Sequence, residues 1–164
     1  MLSETSPKPA SRLFTASILA SAAGIFFGIY FLFIDPEMAL RIATALMVGV
    51  VGILSFLRHS IFYQSDLSRM GWAQENPQFQ IEVGLANLSM GGAALAASLL
   101  GWGSQACGMT LLVYGLYIFC TSLLHISEAL HLTEKREHSL ARIANSAIFA
   151  LALIGFAVIA FHGA

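Results

Sequence analysis

Charge is scarce in this sequence: Asp, Glu, Lys and Arg make up only 10% of its 164 residues, against about 25% in ordinary soluble domains. A soluble chain this poor in charge has too few polar side chains to cover its own surface, whereas a bilayer removes that need. A hydrophobic content of 57% and a mean hydropathy of +0.77 point the same way. The net charge of −1 provides no electrostatic footprint for nucleic acid or for an acidic partner. Cysteine is nearly absent. Cys107 and Cys120 belong to no CxxC pair, and on one helix they lie about 20 Å apart, too far for a mutual disulfide. Both read as small apolar residues. No GxSxG, HExxH, P-loop or GxGxxG occurs, so nothing marks a hydrolase, a zinc protease or a nucleotide enzyme, and the reading leans away from catalysis.

Long uncharged runs are what the chain does have, and they predict an all-α, polytopic helical bundle with five spans. The first, about 13–34, is free of charge. Its apolar run continues eleven residues beyond the small-residue stretch "ASAA" at 20–23, which a cleaved signal peptide would not need. "DPE" at 35–37 then offers Asp35 as a cap, Pro36 for the first helical position and Glu37 for the N-terminal dipole, opening a second span over about 36–57. Arg41 lies near enough to its end to snorkel. "NP" at 76–77 opens the third span, about 77–101; the "GWGS" turn leads into the fourth, about 105–130; the fifth covers about 143–161. Each is long enough for a hydrocarbon core of roughly 30 Å. Lys8, Arg12, Arg58, Arg69, Lys135, Arg136 and Arg142 fall on one side and Arg41 on the other. The positive-inside rule therefore predicts a cytoplasmic N-terminus, an outer C-terminus and a multi-pass protein of the inner (plasma) membrane. Residues 1–12 read as a disordered cytoplasmic tail and 13–162 as one membrane domain. Within the 58–81 connection, a short interfacial helix at 65–72 with Ser65 as its cap competes with a loop anchored by aromatics.

Polar residues are not scattered evenly. On the fourth span Thr110, Tyr114, Tyr117, Thr121, His125 and Glu128 fall within about 80° of one another, a stripe that must face the bundle because lipid cannot satisfy it. Asn87, Gly91, Ala94 and Ser98 share one face of the third span, and Glu82 lies about 140° round from Asn87. By depth, Ser55, Arg58, His59, Glu82, Asn87, Thr121, His125, Glu128, Asn145 and Ser146 all fall in cytoplasmic halves. Two readings fit this asymmetry. One is a cytoplasm-facing polar pocket that binds a ligand or protons through Arg58, His59, Glu82, Asn87, Tyr117, Thr121, His125 and Glu128. The other is a set of helix-bridging contacts, led by an Arg58–Glu82 ion pair and Asn87 between the third and fourth spans. Ser17, Ser21, Gly24 and Gly28 form a small-residue face, packed inside the monomer or against a second copy.

Metal chemistry has two candidate constellations among His59, His125, Glu128 and His131. "EALH" at 128–131 matches one Glu-x-x-His element of a di-iron bundle, which needs two such elements and further carboxylates. His59 and His125 end two spans on the same side, a spacing that suits a shared haem or metal ion in a redox subunit. A proton-coupled small-solute carrier is the other sharp reading, with Glu82, His59 and His125 at a mouth continued by Thr121, Tyr117 and Tyr114. The partners expected are the lipid bilayer, other membrane subunits or a second copy, and no nucleic acid.

"RHSIF" at 58–62, joined to "GWAQENPQFQIEVGLANLSMGG" at 71–92, resembles a family of small multi-pass bacterial and archaeal membrane proteins of unknown function. Its pattern is an Arg-His, then Gly-Trp, then Asn-Pro-x-Gln-x-Glu-x-Gly-x-x-Asn-Leu. The matching positions here are Arg58, His59, Gly71, Trp72, Asn76, Pro77, Gln78 or Gln80, Glu82, Gly84, Asn87 and Leu88. The resemblance implies a membrane protein and marks these positions. It implies no activity.

Overall fold

A computed structural model describes the backbone of residues 6–70, 77–131 and 136–163, and their side chains outside 128–142. Among the described residues the elements are helices: α1 Lys8–Leu32, α2 Pro36–Ile61, α3 Tyr63–Met70, α4 Gln78–Leu99, α5 Ser104–His131 and α6 Arg136–His162. The start of α2 reflects the local chemistry of "DPE". Asp35 is extended and its carboxylate accepts from the Met38 N–H at 3.0 Å, with Pro36 at the first helical position and Glu37 in the first turn. The α4–α5 turn needs its glycines, because Gly101 and Gly103 have φ of 66° and 90°, a region that costs other residues a Cβ clash.

Two stretches of α2, Thr44–Val50 and Leu57–Ile61, are π-helical. The second closes with the Phe62 N–H donating to the Leu57 carbonyl at 2.8 Å, five residues back. Each wide turn inserts a residue into the helical repeat and rotates the rest of the helix about its axis. The second one carries Arg58 and His59.

Small residues let the helices meet. A Cβ on Gly52 of α2 would lie 2.7 Å from the Asn87 carbonyl oxygen and 2.8 Å from the Gly91 Cα of α4, so the two backbones touch there. Gly24 and Gly28 of α1 face Met47 of α2 and Phe156 of α6, which places the small-residue face inside the monomer. Leu40, Met47, Val48, Val51, Leu111, Tyr114, Leu153 and Phe156 fill the core between them. α5 and α6 form a hairpin packed along its length, and this hairpin meets the rest chiefly through residues 36–50 and α4. α1 packs on α2 and α3 instead, with hardly any close backbone approach to α5 or α6.

Among the described residues, four segments are long and apolar enough to cross a membrane: Lys8–Leu32, Pro36–Ile61, Ser104–Ser127 and Ile143–His162. The third of the five expected spans, α4, is a helix of 22 residues but is not among these four. Its hydropathy is lowered by Glu82, which is exposed, and by Gln80, Asn87 and Ser98, which are buried on its inward face. Other boundaries also shift. α1 begins at Lys8 instead of Leu13, since the Ala10 N–H, in the first turn where no helical carbonyl is available, donates to Ser65 Oγ at 3.1 Å. Ser65 thus serves α1 and does not cap its own helix, which starts at Tyr63. Arg41 does not snorkel: its Nε donates to the Ser98 carbonyl at the end of α4, at 2.8 Å.

Gly52→Ala tests the α2–α4 contact. Alanine in an open helix position gains roughly 0.5–1 kcal/mol over glycine, and Gly155→Ala, with nothing within 4 Å, should show that gain. Gly52→Ala should instead lower the melting temperature of the detergent-solubilised protein.

Candidate functional site

Arg58 and His59 sit on the last, π-helical turn of α2, and after Phe62 the chain folds back into α3, which returns Asp66 to them. The Asp66 side chain is fully buried. Its Oδ2 accepts from His59 Nδ1 at 2.9 Å and from Gln80 Nε2 at 3.2 Å. Its Oδ1 accepts from Arg69 Nε at 3.0 Å and Arg69 Nη2 at 2.9 Å, with Arg58 Nε further off at 3.6 Å. The other nitrogen of His59, Nε2, lies 2.9 Å from Arg58 Nη2. A guanidinium can only donate, so Nε2 accepts and the ring proton sits on Nδ1, facing the carboxylate. His59 is therefore neutral, with both nitrogens engaged.

Burial by itself would raise the Asp66 carboxyl. The hydrogen bond from His59 and the charges of Arg58 and Arg69 outweigh it, and the group is held below the ordinary carboxylate range. Phe14 of α1 covers the opposite side, its ring centroid 5.3 Å from the Arg58 guanidinium carbon and 4.8 Å from that of Arg69. The negative face of the ring tempers two cations that would otherwise repel each other.

Two turns beyond Gln80, Asn87 joins α4 to α5. Tyr114 Oη donates to Asn87 Oδ1 at 3.0 Å, while Asn87 Nδ2 donates to the Val83 carbonyl at 2.8 Å and reaches Tyr117 Oη at 3.4 Å. Between these groups, α1 and the α5–α6 hairpin lies a cavity of about 630 Å³. Its polar lining comes from Ser55, Arg58, His59, Arg69, Gln80, Asn87, Tyr114, Tyr117, Thr121, His125, Asn145 and Ser146. Its apolar lining is Phe14, Ile18, Met70, Phe79, Val83, Ile118 and Leu124.

Six of the eight residues expected to bind a ligand line this cavity: Arg58, His59, Asn87, Tyr117, Thr121 and His125. Glu82 does not. It is exposed on the far side of α4, about 140° from Asn87 as the helical repeat requires, and the acid beside Arg58 is Asp66. The side chains of Glu128 and His131 lie outside the described residues. No cluster of three metal-ligating side chains occurs among those that are described. The anticipated His59–His125 ligand pair has a specific obstacle in Asp66 and Arg58, which take both His59 nitrogens.

Asp66, Arg69 and Gln80 were not singled out as site residues, though signals for them exist. Gln80, Gly84, Asn87 and Gly91 recur at i, i+4, i+7, i+11, so extending the Asn87 face by two turns reaches Gln80. This also distinguishes the glutamines, since Gln80 is buried at 5% exposure and Gln78 is exposed. Asp66 and Arg69 are an i,i+3 pair beside Leu67, the only strongly apolar residue of α3 that is buried.

Asp66→Asn should cost roughly 2–4 kcal/mol at neutral pH, because it leaves two half-buried arginines without the buried carboxylate they share. The depressed carboxyl makes the native contribution complete above the unfolded value of about 3.9 and lost as pH falls through the lower folded value. Thermal melts from pH 7 down to pH 3 should show the native protein losing stability below about pH 4, with a flatter profile for the variant. Asn87→Leu should cost more than Tyr114→Phe, since it removes the side chain that bridges to both Tyr114 and Tyr117, whereas Tyr114→Phe removes one hydrogen bond and leaves Asn87 Oδ1 without that donor, at about 1–3 kcal/mol.

Neither a curated protein nor a solved structure matches the chain. A family model matches residues 12–163, nearly all of the helical domain and all of the cavity lining, and on that match the chain belongs to DUF6790, a family of unknown function.

Proposed function

We propose that this is an integral inner-membrane protein that binds a small molecule in the cavity beside Asp66, with α4 as a fifth crossing and the cavity toward the cytoplasm. The observation carrying this reading is the cavity. Its volume of about 630 Å³ falls in the range of roughly 300–1,000 Å³ typical of ligand sites, and convergent polar groups share its lining with apolar walls. α4 resembles a span that turns Gln80, Asn87 and Ser98 inward, which lipid permits and hydropathy averages undervalue, and keeps the exposed Glu82 in its first turns. For orientation, Arg58 and Arg69 count for little because they are engaged by Asp66. Lys8, Arg12, Lys135, Arg136 and Arg142 still lie at that end in sequence, against Arg41 at the other.

The haem or metal reading is weaker, given the two bonds of His59. A proton-coupled carrier keeps His125, Tyr117 and Thr121 on the cavity wall but loses Glu82 as the proton-exchanging group at its mouth.

Extraction of the protein from its native membrane in mild detergent, with mass spectrometry of co-purifying small molecules, tests the proposal. A compound retained by the native chain and lost from Thr121→Trp, which fills the cavity, is expected; identical small-molecule content in both would sink it. In a cysteine-free background, a cysteine at Gly163 should react with an impermeant maleimide from outside the cell, and one at Ser6 only after permeabilisation.

A further inference from the structure

Resting on the cavity reading above, we propose that the ligand is a single-chain amphiphile with an anionic head, a carboxylate or a phosphate monoester. It would enter sideways from the membrane between α1 and the α5–α6 hairpin.

The charge of the site comes first. Among the described lining residues the cations are Arg58 and Arg69, and the carboxylate they share is Asp66. His59 is neutral, so among the described side chains this end of the cavity sets two guanidinium charges against one carboxylate. The imbalance has a location. Arg69 takes Asp66 Oδ1 with two nitrogens, while Arg58 stands off at 3.6 Å and its buried Nε has no hydrogen-bond partner. Arg58 shares its carboxylate with a second cation and keeps a partly exposed guanidinium on the cavity wall, so an anion there gains a charge-assisted contact with it. A cationic head would add to the repulsion, and a neutral one would leave the excess charge standing.

The shape comes second. Ile18, Phe79 and Leu124 line the cavity, yet they are 42%, 68% and 65% exposed. They therefore form a rim that opens on the outer surface of the bundle among other exposed apolar residues. Among the described residues α1 and the hairpin have hardly any close backbone approach, which leaves room for such an opening. A soluble anion would reach Arg58 but leave Val83, Ile118 and Leu124 without a partner; an acyl chain covers them while its head lies at the arginine. Head and tail thus match the two halves of one cavity.

The test uses the full chain in a neutral maltoside detergent and four radiolabelled amphiphiles with the same twelve-carbon tail: a carboxylate, a phosphate monoester, an alcohol and a trimethylammonium. One or both anions should bind about tenfold or more tighter than the alcohol and the ammonium, the gain expected of a charge-assisted contact. Preference for the carboxylate identifies a free fatty acid, and preference for the phosphate a lipid phosphate; either supports the proposal. Acetate or inorganic phosphate at millimolar concentration should not displace the bound anion, and equal competition by either overturns the amphiphile. Tighter binding of the alcohol or ammonium overturns the anionic head while leaving the cavity reading intact. A dimer that excludes all four ligands overturns the proposal in favour of a second copy at the opening. Arg58→Gln should abolish the preference for anions, with Arg58→Lys restoring part of it. Should Arg58→Gln fail to fold, Ile18→Trp narrows the rim without touching the cluster. It should weaken anion binding about tenfold at an unchanged melting temperature, and unaltered binding would count against sideways entry.

Discussion

Asp66 is a carboxylate with no exposure to solvent, and its requirements govern the arrangement of one end of the bundle. A buried charge persists only if its acceptor sites are filled, and the groups filling them come from three separate elements: His59 from α2, Arg69 from α3 and Gln80 from α4. Arg58 supplies a further charge, and Phe14 brings α1 over both guanidinium faces. Four helices therefore converge on one residue. Such a cluster contributes little stability relative to well-packed apolar side chains, yet the loss of any partner is expensive. Its structural effect is to specify which ends meet.

The π-helical turn at the end of α2 is part of the same arrangement. An uninterrupted α-helix would carry Arg58 and His59 into the next repeat at a different angle, and the wide turn sets their direction relative to Asp66. The close approach of Gly52 and Gly91 fixes how near α2 and α4 lie, so that Gln80 and Asn87 come level with α2 and α5. The other end of the molecule is held by apolar packing and by Arg41 on the α4 terminus. With the hairpin joined firmly there and α1 joined to α2 and α3, the two parts diverge toward Asp66, and the cavity is the space between them.

Much of the site was legible in single helices. The 3.6-residue repeat gathered Tyr114, Tyr117, Thr121 and His125 on one face of α5 and Asn87, Gly91 and Ser98 on one face of α4, and these faces do turn inward or line the cavity. The choice of acid was not legible. Glu82 has the right depth for Arg58, but the repeat alone does not say which face of α4 meets α2. Asp66 belongs to a connection that composition assigns to the membrane surface, and only the fold-back of α3 brings it beneath the bundle.

Sequence alone determined the material and its limits. Uncharged runs long enough for a bilayer, the Asp35 cap, the glycine turn and the helical faces are local consequences of side-chain chemistry and of the 3.6-residue period. Tertiary structure decided which faces meet, which of two plausible acids sits with Arg58, and where the helices part to leave a cavity. Those outcomes depend on the relative rotation and tilt of helices. Contacts between residues far apart in the chain set both, and no local pattern carries that information.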